Sequence, residues 1–153
     1  MMGQGRESTM YGRVVDALYV DAMLLADEAR SYFEEQGRAE REALSPNDRV
    51  AFSCESLHVT TRLMHVVAWL LTRRAVDAGE LSATGALDPA RRLASAPRPL
   101  ASLIAALPAR AAALVTASAD LHRRAAVLDE AFAADRPPSS PARSMQQRLV
   151  ALL

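Results

Sequence analysis

The sequence predicts an all-α protein: an antiparallel three-helix bundle with a long loop between helices 2 and 3 and a flexible C-terminal tail. Two observations carry this. Apolar residues recur in alternating steps of three and four in three separate segments, the signature of one helix face. Half of the residues are apolar, yet only 5% are aromatic, and Ala and Leu dominate, so local propensity favours helix over strand.

The first seam is Tyr11, Val15, Leu18, Ala22, Leu25, Ala29 and Tyr32, in a helix expected over about 9–36 that stops at Gly37. Val20, Met23 and Leu24 project from its otherwise acidic back. Apolar side chains grouped on such a face mark an interface.

The second seam is Val50, Cys54, Leu57, Thr61, Met64, Ala68, Leu71 and Ala75, a seven-residue repeat. Ser45 is a good N-cap, Pro46 fits the first helical position and Asp48 lies three residues after the cap; all three mark a helix start. Gly79 marks the stop, behind Arg73 and Arg74, so the helix spans about 46–78. Within it, Leu63 to Leu71 carry no acidic or Arg residue. Nine residues fall well short of the about 20 needed to cross a bilayer, so no membrane segment is expected. A further apolar row, Phe52, Val59, Leu63, Val66 and Leu70, widens the apolar arc beyond the about 100° that a surface helix needs. The helix is therefore expected to be central, or to meet a second subunit through Leu63, Val66 and Leu70, with Val20, Met23 and Leu24 as the other candidate dimer patch.

A third stripe holds Glu55, His58, Arg62, His65 and Trp69. His58 and His65 are two helical turns apart, about 10.5 Å, too far for one ion, so no metal site is expected. No nucleophile is placed beside a histidine by a visible motif, so catalysis is not expected and no cofactor is called for. An Arg and a Trp beside two His suit a partner-binding surface; the alternative is a solvated face with Trp69 lying across its edge.

The third seam is Leu107, Ala111, Leu114, Ser118, Leu121, Ala125, Leu128 and Phe132, with Pro108 in the first turn, giving a helix over about 108–134. Three long helices with matching seams bury one another most economically as an antiparallel bundle. Leu57, Met64, Leu71, Leu114 and Leu121 are expected in its core.

Between the second and third helices, the stretch 79–99 is too long for a simple bundle turn. Asp88 before Pro89 can start a short turn. Leu100, Leu103, Ile104 and Leu107 have helical spacing, so a lead-in helix precedes Pro108. The bundle domain is expected over 1–136 and the tail over 137–153. DRPPSSPARS reads as a linker and MQQRLVALL as an apolar peptide, Leu149, Val150, Leu152 and Leu153, that docks on something else.

Charges number 18 of each sign, and every positive one is Arg. The balance points to no nucleic acid or other polyanion. Lacking lysine, the chain offers neither Schiff-base chemistry nor a phosphate-binding P-loop lysine. One cysteine, Cys54, allows neither an internal disulfide nor a Cys-based zinc cluster and suits a reducing cytoplasm. The start, MMGQGRESTMYG, shows no signal-peptide pattern.

The string ESLHVTTRLMHVVAWLLTRRAVDAGEL, with EARSYFEEQGRAEREAL upstream and ASADLHRRAAVLDEAF downstream, resembles the bacterial RcdA family, regulators of CtrA degradation. The resemblance covers roughly residues 11 to 134. It implies a dimeric three-helix bundle acting as a non-catalytic adaptor in cell-cycle proteolysis. The partners it implies are the ClpXP protease, a response regulator and the delivered substrate proteins.

Overall fold

The computed structural model describes residues 2–134 and residue 149. All regular structure among them is helical. The long helices are α1 (Met2–Ser31), α3 (Pro46–Asp77) and α5 (Ala109–Ala134), with short helices α2 (Arg38–Glu42) and α4 (Ala101–Ala106).

The helix signals act as the local chemistry requires. Ser45 has extended backbone, and its side chain accepts the Asp48 N–H at 3.3 Å. At the other end Gly79 takes φ +75°. Its N–H bonds Val76 O at 3.0 Å and the Glu80 N–H bonds Ala75 O at 2.9 Å, which together satisfy the last carbonyls of α3. Asp88 caps the turn Pro89–Arg91 by accepting the Ala90 N–H at 2.9 Å.

The first helix begins at Met2 rather than near residue 9, and it loosens into a π turn over Tyr32–Gln36. The Gly37 N–H closes that turn on Tyr32 O at 2.6 Å. A Cβ at residue 37 would lie 2.9 Å from that oxygen and 3.0 Å from the Tyr32 ring, so only glycine fits. Tyr32 itself is fully buried and its hydroxyl donates to Glu40. Burial first, and that hydrogen bond second, push its phenol pKa well up.

The three long helices pack on one another, but not in the expected directions. Along α3 and α5, Arg62 meets Ser118, Trp69 meets Asp129 and Arg73 meets Phe132. Partner numbers rise together, so α3 and α5 run parallel. α1 opposes both: Asp16 meets Arg74, Tyr11 meets Phe132 and Asp21 meets Arg124. The antiparallel expectation is thus corrected for α3 and α5. Parallel neighbours need a connection that travels back along the full helix, about 48 Å for the 32 residues of α3. The segment from Ala78 to Pro108 is that return. It lies along α3 and α5 as a strap, passing Asp129 with Arg92, His122 with Ala94 and Arg62 with Pro97. α4 then leads into α5.

The seams of α1 and α5 are where the sequence puts them: Val15, Leu18, Ala22, Ala29, Ala111, Leu114, Leu121 and Ala125 are buried. The seam of α3 is not. Leu57, Met64 and Leu71 are 66%, 65% and 49% exposed, whereas Phe52, Val59, Leu63, Val66 and Leu70 are buried. At about 100° per residue, Leu57 and Val66, nine residues apart, sit on opposite sides of the helix. α3 is turned half a revolution from the expected orientation. Leu114 and Leu121 lie in the core as expected, whereas Leu57, Met64 and Leu71 lie outside it. The tail residues Val150, Leu152 and Leu153, and nearly all of 137–153, lie outside the described residues; Leu149 is exposed.

Candidate functional site

Two faces of α3 define the candidate surfaces, and the strap decides between them. On the inner face, Arg62 is 1% exposed. Its Nε and Nη2 donate to Pro97 O at 3.1 and 2.8 Å, and its Nη1 donates to Ser118 Oγ at 3.2 Å. A strap carries backbone carbonyls into the protein, and each buried one needs a donor. Arg62 supplies three N–H groups from one planar fork. Burial pushes its pKa down, and the carboxylate of Glu55 acts against that shift. Glu55 is also buried; its Oε2 stands 3.8 Å from Arg62 Nη2, a charge contact and not a hydrogen bond. Its Oε1 lies 3.3 Å from His58 Nδ1.

One end of the strap is held by a second cluster. Trp69 Nε1 donates to Asp129 Oδ1 at 3.0 Å, and Arg92 Nε donates to both oxygens of the same carboxylate. The hydrogen bond to Asp129 raises the Arg92 pKa. Arg73 stacks over Phe132 with its guanidinium carbon 3.6 Å from the ring centroid. Between the two clusters His122 Nε2 lies 2.9 Å from Ala94 O, a distance at which it donates.

The stripe expected to bind a partner is therefore split. Glu55, Arg62 and Trp69 are interior, while His58 and His65 are only partly covered, with His65 Nδ1 buried and unpartnered. That correction has a physical reason: polar side chains are drawn inward where backbone has to be satisfied. The two candidate dimer patches also part. Leu63, Val66 and Leu70 are buried by the chain's own helices, so they are not free for a second subunit. Val20, Met23 and Leu24 are 55%, 46% and 66% exposed and remain available. Sequence reasoning missed Arg92 and Asp129; the one signal was an acidic residue flanking an otherwise apolar seam.

The outer face is apolar. Val50, Leu57, Met64 and Leu71 are all exposed. Beside them a groove of about 600 Å³ runs between α1 and α3, with Ala26, Ala29 and Phe33 on one wall and Leu57, Met64 and Leu71 on the other. A second cavity of about 580 Å³, between the strap and α5, is lined by Arg62, Pro97, Arg98, Ile104 and His122 among others. Among the described residues no group of three or more His, Cys, Asp or Glu is placed to hold a metal ion, and no helix is long and apolar enough to cross a membrane.

The family model described as "Protein of unknown function (DUF1465)" matches residues 6–153. The crystal structure of RcdA from Caulobacter crescentus is similar at 31% identity and a TM-score of 0.64, over 77% of this chain and 89% of that one. The chain belongs to this RcdA-like family. No curated protein matches.

Proposed function

We propose that this chain is a non-catalytic adaptor that helps deliver substrate proteins to the ClpXP protease in regulated cell-cycle proteolysis. It acts in the cytoplasm, as a homodimer, with a response-regulator partner. The observation that carries this reading is the likeness to RcdA at 31% identity over most of both chains. The site supports it in kind: exposed apolar surface on α1 and α3 is what a binding protein offers.

The test is reconstituted degradation. Addition of the full chain to ClpXP and the response regulator is expected to speed turnover of a cell-cycle substrate. A pull-down with the full chain is expected to recover protease or response regulator, and a chain lacking the last 17 residues shows whether the tail carries that contact. If turnover is unchanged and neither protein is recovered, the adaptor reading fails. The bare outer row of α3 favours a second reading, a dimeric helical interaction protein outside proteolysis, which that result would leave standing.

A further inference from the structure

The cavity of about 580 Å³ between the strap and α5 brings together three kinds of lining. Part of its wall is apolar, where Pro97, Pro99 and Ile104 stand opposite Ala119 and Ala126. Its charged side chains are Arg62, Arg98, Arg123 and a single acid, Asp120. Arg62 is answered by the buried Glu55 at 3.8 Å. Arg123 meets Asp120 at 2.6 Å, an exposed pair that leaves other N–H groups of the guanidinium open. Arg98 is exposed and makes neither an ion pair nor a side-chain hydrogen bond among the described residues. The lining is therefore short of negative charge.

The third kind of lining is backbone. Proline holds its own φ near −65° and pushes the residue before it into extended conformation. Residues 96–99 are thus kept extended by their own sequence, and Arg92 and Leu100 on either side are extended too. The strap turns Pro97 O to Arg62 and Ala94 O to His122. The N–H groups of Ser95, Ala96 and Arg98 have no acceptor among the described residues. Extended backbone with spare donors is what a second extended segment pairs with. Two prolines also reduce the ordering cost of such a contact, because the strap is set in advance.

We propose that this cavity binds an extended acidic segment of a partner protein. Its carboxylates lie at Arg98 and Arg123, an apolar side chain packs on Pro97 and Ile104, and its carbonyls accept from the strap. A small anion such as phosphate leaves the apolar wall and the strap donors unused. The chain's own C-terminal stretch does not suit either, since residues 136–153 hold Arg136, Arg143 and Arg148 and no acidic side chain. The inference goes beyond the adaptor reading, because it names a recognition chemistry that any protein partner can meet.

The test titrates the full chain into a fluorescent peptide of alternating Glu and Leu, read by anisotropy. Saturable binding is expected. Replacing every Glu of the peptide by Gln, or every Leu by Ser, is expected to weaken it ~10-fold each. In the protein, Arg98→Ala is expected to weaken binding ~10-fold and Arg98→Glu ~100-fold or more. Circular dichroism stays unchanged in both, since the fold draws no side-chain contact from Arg98. Arg13→Ala, exposed on α1, leaves binding as it was. Hydrogen exchange at Ser95, Ala96 and Arg98 is expected to slow when the peptide is added. Equal binding of the Gln peptide, full binding by Arg98→Glu, or unchanged exchange at those three amides overturns the inference. Inorganic phosphate that displaces the peptide at equal concentration shows a small-anion site and overturns it as well. No step contains a protease, so failure of the degradation assay leaves this inference standing, and its own failure leaves the adaptor reading untouched.

Discussion

The two sides of α3 invert the usual rule. Its inner side buries a glutamate and two arginines, Glu55, Arg62 and Arg73, together with a tryptophan whose N–H is committed to a carboxylate. Its outer side exposes a valine, two leucines and a methionine at regular intervals. What differs is what each side faces. The inner side meets α5 and a strap of irregular backbone, and backbone brings carbonyls that have to be paired. Among the described residues the outer side is bordered only by the edge of α1 across an open groove. Polarity therefore tells which groups have partners to satisfy, and only through that does it tell inside from outside.

The largest expected effect tests the inner side directly. Arg62→Ala removes the donors to Pro97 O and Ser118 and leaves Glu55 buried without its counter-charge, at an expected cost of about 3 to 5 kcal/mol in denaturant unfolding. A loss under ~1 kcal/mol would show that the strap is held without it. The apolar part of the core provides the reference. Leu114 is 3% exposed, and Leu114→Ala is expected to cost about 3 kcal/mol through lost contact and residual cavity. Equal losses for Arg62 and Leu114 would make the buried charge as structural as a core leucine.

Trp69→Phe sharpens the comparison at the other end of the strap. The ring is kept and the hydrogen bond to Asp129 is lost, while Arg92 still satisfies that carboxylate, so the expected loss is about 1 kcal/mol. Faster amide exchange in residues 88–98 than in α5 would tie that loss to the strap. The smallest effect belongs to the outer side. Leu57→Ala is expected to change monomer stability by less than ~0.5 kcal/mol, yet to weaken self-association measurably. A large loss of monomer stability would mean that this row packs within its own subunit after all.

Several features were legible in the sequence because they depend on neighbours in the chain. Ser45 with Asp48, Gly79 and Asp88 with Pro89 are local capping chemistry, and the structure uses each as such. The seams of α1 and α5 were legible too, because each of those helices has one apolar row and so one way to face a core. α3 has two, half a turn apart, and periodicity cannot rank them. The stripe of Glu55, Arg62 and Trp69 looked like a solvent or partner surface because its burial depends on Pro97, Ser118 and Asp129, which lie 35, 56 and 60 residues away.

The sequence by itself determined that this chain is helical, where α3 and α5 begin and end within a few residues, and which family it belongs to. All of these rest on local dihedral preference, on capping and on a string of residues. Tertiary structure alone decided that α3 and α5 run parallel and which side of α3 turns inward. The reason is the return path: a parallel pair needs a strap, the strap carries backbone into the interior, and the side of α3 that could donate to that backbone was drawn in, leaving the more regular apolar row outside.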